Sequence, residues 1–226
     1  MATYEGKTMT SNHIVSLAIS AIISLSASIG AGGMAHSADV TAATIADGQK
    51  GALHKMIETC GICHGVDGRS VSPAFPHLAG QTAQYIELQL RAFKDQSRAD
   101  PDAQAFMWGM ASQLNDAMIS GLAKYFSALP PASAARPGNA ALISRGKRLF
   151  EEGVPARQIP PCANCHGSHA EGTAVLPRLA GQHAPYLFKQ ILAIQTTLRF
   201  APAMHGVVKD LDREQMQAVV AYLESI

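Results

Sequence analysis

The chain carries almost no excess charge: in 226 residues, 18 Lys and Arg stand against 17 Asp and Glu, a formal net charge of +1. That balance excludes a polyelectrolyte partner such as nucleic acid, which needs a strong basic excess. The apolar run from Ile14 to Ile29 covers sixteen residues and is interrupted by serines, short of the roughly 20 apolar residues that a membrane-spanning helix needs. No strand-like alternation of useful length appears, so the periodicity points to helices alone. Cysteine is scarce as well, with four in the chain and none outside two short motifs.

Those motifs are two copies of one pentapeptide, Cys60-Gly61-Ile62-Cys63-His64 and Cys162-Ala163-Asn164-Cys165-His166, set 102 residues apart. Two thiols at this spacing can add across the two vinyl groups of one porphyrin, and the adjacent histidine then lies beneath the iron. The pattern predicts two covalently bound haem c groups held by Cys60, Cys63, Cys162 and Cys165, with His64 and His166 as proximal ligands. A redox disulfide or half of a structural zinc site would use the same thiol spacing. Zinc would have to draw its ligands from pairs a whole domain apart, and neither pair sits in a thioredoxin-like strand and helix pattern. The histidines would have no role in either alternative.

The chain is an internal repeat. Pro76-His77-Leu78-Ala79-Gly80-Gln81 recurs as Pro177-Arg178-Leu179-Ala180-Gly181-Gln182 at an offset of 101, and Tyr85, Gln89 and Arg98 match Tyr186, Gln190 and Arg199. Beyond the arginines the offset falls to 97, matching Met107 with Met204, Leu114 with Leu211 and Tyr125 with Tyr222, so the first copy holds four extra residues before its methionine. The proline-rich, small-residue stretch from Pro130 to Asn139 reads as a linker. The expected organisation is a leader over residues 1–38, an N-terminal domain over 39–130, a linker over 131–139 and a C-terminal domain over 140–226.

Within each copy, helices are expected over Ala46 to Thr59 and Ala140 to Glu152, over Ala83 to Lys94 and Pro185 to Thr197, and over Asn115 to Leu129 and Asp212 to Ile226. Asn115 and Asp212 open the last pair as N-caps. A haem with one histidine ligand takes its function from the sixth ligand. Met107 and Met204 are the candidates, each seven residues before the leucine that opens the final helix, in a loop able to cover the far face of the porphyrin. Met110 competes for the first iron, and register with Met204 favours Met107. Met56, Met118 and Met216, at helical spacing, read as core. Pro76 and Pro177 are placed to accept the second ring N–H of His64 and His166. His54, His77, His169, His183 and His205 do not repeat and read as surface residues. Arg98 and Arg199 do repeat, with haem carboxylates and surface solvation as the two readings.

The leader reads as a secretory signal, an apolar stretch followed by Gly30, Ala31, Gly32 and Gly33, with cleavage between Ala35 and Ala38. An uncleaved membrane anchor is the competing reading. Both place the protein on the periplasmic side, where c-type haem is attached.

The paired Cys-x-x-Cys-His motifs, the repeated Pro-x-Leu-Ala-Gly-Gln, Phe93-Lys94-Asp95-Gln96-Ser97-Arg98, and Met107 and Met204 before Leu114 and Leu211 together resemble the diheme cytochrome c4 family over residues 46–226. The resemblance implies an all-α protein of two class I cytochrome c folds related by a pseudo-twofold axis. It also implies His64, His166, Met107 and Met204 as axial ligands, and a role carrying electrons from a quinol-oxidising complex or dehydrogenase to a terminal haem-copper oxidase. The sequence departs from the pattern where Gln195, Thr196 and Thr197 replace Lys94, Asp95 and Gln96, which leaves the second propionate environment open. Two rival functions are a diheme subunit of a dehydrogenase, such as flavocytochrome c sulfide dehydrogenase, and a diheme peroxidase. A peroxidase needs an open iron, which methionines in register in both copies argue against.

Overall fold

A computed structural model describes residues 34–134 and 138–226. The expected leader, apart from its last few residues, lies outside the described residues. Thr44 to Ile226 form one compact unit. In chain order the helices are α1 (Met34–His64), α2 (Ala83–Lys94), α3 (Trp108–Ser112), α4 (Asp116–Ala128), α5 (Ala140–Glu152), α6 (Ala163–His166), α7 (Ala184–Gln195), α8 (Pro202–Val208) and α9 (Arg213–Glu224). A π-helical turn, Ala103–Met107, leads into α3, and a 3₁₀ turn, Pro155–Arg157, follows α5. The described residues contain no sheet, only two isolated bridges.

The two repeats build two lobes, each around its own apolar cluster. In the first, Ile86 and Phe93 of α2 meet Ile119, Leu122 and Phe126 of α4. In the second, Phe150 of α5, Leu187, Ile191 and Ile194 of α7 and Met216, Val219 and Leu223 of α9 pack together. Phe126 and Phe150 are fully buried, and truncating either to Ala would cost about 3–5 kcal/mol. Met56, Met118 and Met216 are in these clusters, as their spacing suggested.

The first and last helices of each lobe cross at a small residue. A side chain at Gly121 of α4 would meet Leu53 of α1 at 2.8 Å, and one at Gly146 of α5 would meet the Ala218 carbonyl of α9 at 1.9 Å. Positions 121 and 218 are in register, so the close approach is repeated while the glycine moves to the partner helix. Side-chain caps start the later helices: Asn115 accepts from the Met118 N–H, and Asp212 forms a capping box with Gln215.

Two expectations change. α1 runs unbroken through the first Cys-x-x-Cys-His motif, whereas in the second copy Gly153, at φ 69°, ends α5 and a loop intervenes before α6 carries the motif. Both candidate methionines lie in helical turns instead of open loops, Met107 closing the π-helical turn and Met204 inside α8. The π-turn occupies the stretch holding the four extra residues of the first copy, and such turns accommodate insertions within helices.

Candidate haem-binding sites

The repeated hexapeptide organises both sites. The Pro76 carbonyl accepts from Nδ1 of His64 at 2.9 Å, and Pro177 does the same for His166 at 3.1 Å. This fixes the tautomer and leaves Nε2 of each ring with its lone pair. Both histidines are buried, and burial lowers their pKa although the bond to proline opposes it. They are neutral imidazoles, the form that binds a metal.

The next residues of the hexapeptide anchor the loop. Leu78 and Ala79 donate to the Gly68 carbonyl, and Leu179 and Ala180 donate to Ala170. Gly80 and Gly181 have φ of 69° and 72°, and their N–H groups reach Phe126 and Leu223 near the ends of α4 and α9. A side chain at Gly80 would strike Pro131, and one at Gly181 the Ala132 carbonyl. Left-handed backbone and close approach to the linker both require glycine here.

The final glutamines reach across to the opposite lobe. Gln182 accepts from the His77 N–H at 2.9 Å and donates to the His77 carbonyl at 3.0 Å. Gln81 accepts from the Arg178 N–H at 2.7 Å and donates to the Arg178 carbonyl at 3.0 Å. Each lobe thus clamps the backbone that follows the other's histidine-orienting proline, in a pseudo-twofold arrangement.

A second joint between the lobes uses the other repeated residues. Arg98 donates to Asp100 at 2.8 Å, to Gln89 at 2.7 Å and to Gln190 at 2.8 Å. Arg199 donates to Gln190 at 2.7 Å, Gln89 at 3.1 Å and the Tyr85 hydroxyl at 2.8 Å. Burial alone would raise the Tyr85 pKa, but the adjacent Arg199 and Arg98 hold it below its ordinary value. In this structure both arginines are engaged between the lobes, and Arg98 is buried, which sets surface solvation aside for it. They tie the lobes together, which their recurrence at a shared offset could not reveal.

The histidine expectations divide. His54 and His169 are exposed. His77 and His183 instead face each other across the lobe contact with ring centroids 4.0 Å apart, and His205 is half-buried with Nδ1 2.9 Å from the Ile194 carbonyl. At the departure, Gln195 keeps one contact of Lys94. Lys94 donates to the Leu114 carbonyl at 2.6 Å, and Gln195 donates to Leu211, its equivalent, at 2.8 Å and to Val208 at 2.6 Å. The substitution preserves a donor that pins the segment after each candidate methionine.

Around each histidine the remaining donors suit a haem. Burial pushes the Cys60 and Cys162 thiols up to about 11, unlike the lowered thiol of a redox-active Cys-x-x-Cys. Cys60 and Met107 pack against the first lobe's apolar cluster, and Cys162 and Met204 against the second's. Met110 is half-buried but lies outside the cluster. Each lobe therefore offers paired thiols, a neutral histidine and a thioether around an apolar floor, which fits an iron porphyrin, while no three His, Cys, Asp or Glu side chains among the described residues converge as a zinc site requires.

This is the organisation of a c-type cytochrome built twice in one chain. The Cytochrome c family model matches residues 45–130 and again 143–226. Cytochrome c4 of Pseudomonas aeruginosa is 32% identical over 211 residues, covering 91% of this chain and 98% of that protein. Cytochrome c-552 of Acidithiobacillus ferridurans is 39% identical over 77% of this chain and 76% of its own. The solved cytochrome c4 of Acidithiobacillus ferrooxidans superposes with a TM-score of 0.71 at 41% identity, over 74% of this chain and 98% of that one. The chain belongs to the diheme cytochrome c4 family: it is an electron carrier, not an enzyme, with two covalently bound haem c groups.

Proposed function

We propose that Cys60 and Cys63 attach the first haem and Cys162 and Cys165 the second, with His64 and Met107 on one iron and His166 and Met204 on the other. The protein then carries electrons in the periplasm from a quinol-oxidising complex or a dehydrogenase to a terminal haem-copper oxidase. The observation that carries the ligand assignment is the sharing of one apolar cluster by Cys60 and Met107, and of the other by Cys162 and Met204. Bound iron supplies one-electron redox chemistry, and a thioether ligand favours its ferrous form.

The polypeptide's part is positional. Pro76 and Pro177 orient the histidines, Lys94 and Gln195 pin the segments after the methionines, and the glutamine clamps hold the lobes together. A methionine in the sixth position leaves no place for a substrate, which favours a carrier over a peroxidase. The 1–38 leader and the 39–130 and 140–226 domains accompany this reading; no described helix is long and apolar enough to cross a membrane. A spectroelectrochemical titration tests it. Two one-electron waves and the methionine-to-ferric-iron band for both haems are expected, and one high-spin ferric iron would overturn the closed-site assignment. Turnover by membranes containing a haem-copper oxidase, absent when the cytochrome is omitted, tests the acceptor.

A further inference from the structure

The two candidate methionines are held in different ways. Met204 sits inside α8, an α-helix with Pro202 in its first turn. Met107 closes a π-helical turn of five residues, a geometry that rarely extends beyond a single turn. A metal ligand must be oriented by the groups around it. On so short a π-turn that orientation has to come from an anchor outside the turn.

The next residue supplies the anchor. Nε1 of Trp108 donates to the Arg98 carbonyl at 2.8 Å. Arg98 is itself a fixed point. Its N–H donates to the Ala92 carbonyl at 3.0 Å, its guanidinium lies 4.6 Å over the Phe93 ring, and its Nε donates to Asp100 at 2.8 Å. Its Nη2 reaches into the other lobe, donating to Gln190 of α7 at 2.8 Å. Two hydrogen bonds through one buried arginine therefore lead from the neighbour of Met107 to the second lobe. The stretch that holds the four extra residues is tied the same way, since Asp102 pairs with Lys189 of α7.

The second copy keeps none of these ties. His205 stands in register with Trp108, Ala201 with Asp100 and Leu88 with Lys189. Nδ1 of His205 lies 2.9 Å from the Ile194 carbonyl, so the turn carrying Met204 is anchored to α7 of its own lobe and not to Arg199. Arg199 still crosses to Gln89 and Tyr85. The lobe contact is reciprocal, but its connection to a methionine turn is made on one side.

We propose that Trp108 is a positioning residue for Met107, and that through Arg98 and Gln190 the lobe contact governs how firmly the first haem holds its sixth ligand. The second haem holds Met204 independently of that contact. When the contact loosens, the Arg98 side chain is released, then the carbonyl that receives the indole N–H, and Met107 moves with them.

The inference rests on Met107 as the first iron's ligand, and the experiment separates the two ideas. Ferric holoprotein is titrated with imidazole, which displaces methionine from the iron, and each haem is followed by its own shifted methyl signals in proton NMR, assigned with Met107→Ala and Met204→Ala. Trp108→Phe keeps a ring and removes the N–H; the first haem's imidazole affinity is expected to rise about tenfold and the second's to stay within about twofold. Gln190→Leu, a change in the other lobe, is expected to raise the first haem's affinity by about threefold or more, and to add little to Trp108→Phe because both act through one chain of contacts. An unchanged first haem in either variant, an equal rise at both haems, or full additivity of the two changes would each overturn the proposal. Should Trp108→Phe fail to retain the first haem, Gln190→Leu decides alone by the same criterion. Unmoved signals of both haems in Met107→Ala would instead remove Met107 as the ligand, and with it the reading on which the proposal stands.

Discussion

Replacing Gln182 by Ala tests whether the reciprocal clamp couples the lobes. The side chain is 6% exposed; it takes the His77 N–H at 2.9 Å and gives its own N–H to the His77 carbonyl at 3.0 Å. Removing it strands one donor and one acceptor at the lobe contact. A buried polar group left without a partner costs about 1–3 kcal/mol. His77 is only half-buried, so water can reach part of the gap, and the low end of that range for two groups gives about 2 kcal/mol. Gln81→Ala strands the equivalent groups of Arg178 and is expected to cost a similar amount. Because both clamps close one contact, the double variant should lose less than the sum, the signature of coupled sites. Guanidinium unfolding followed at the haem absorbance and by far-ultraviolet circular dichroism measures all three. The wild type is expected to unfold in one transition, and the double variant in two as each lobe melts around its own cluster. A loss below about 0.5 kcal/mol for Gln182→Ala, with one coincident transition in the double variant, would refute the clamp.

Acidification should act at the same contact. Burial, then the neighbouring His183 and Arg69, push the His77 pKa down from 6.5 to about 4, with Asp67 opposing, and its Nδ1 is buried without a partner. The unfolded chain therefore takes the proton first, so this contribution is complete above pH 6.5 and is lost as pH falls towards 4. A fully desolvated group would lose roughly 3 kcal/mol, and solvent at this half-exposed ring cuts that to about 1–2 kcal/mol. The stability-versus-pH curve should flatten over that window in His77→Gln, and an unchanged slope would exclude His77 as its origin. Gly146→Ala places a methyl against the Ala218 carbonyl and should destabilise the second lobe by about 3 kcal/mol in thermal unfolding, with the first lobe's haem band unaffected. Met107→Ala should abolish the methionine-to-ferric-iron band of one haem while Met110→Ala preserves both; the reverse result would move the ligand to Met110.

The chemistry of this protein was legible in its sequence because covalent attachment demands residue types at fixed spacing. Cys60, Cys63 and His64, and Cys162, Cys165 and His166, name the cofactor without any fold. Repetition then exposed the register that pairs Met107 with Met204, and the helix caps at Asn115 and Asp212 appeared as local rules predict. Even Pro76 and Pro177 as acceptors followed from the need to orient a ligand histidine.

What the tertiary structure decided was the purpose of repeated residues that carry no local signature. Arg98, Arg199, Gln89, Gln190 and Tyr85 recur at one offset, which cannot distinguish a residue used twice within each lobe from one used once between lobes. Only the packing places them in a shared network. Gln81 and Gln182 close their clamps at separations of 97 and 105 residues, and Gln195 looked like a departure until its carbonyl partners showed it doing the work of Lys94. Sequence determines chemistry that depends on neighbours along the chain. The joining of two lobes depends on neighbours in space, and folding alone brings those together.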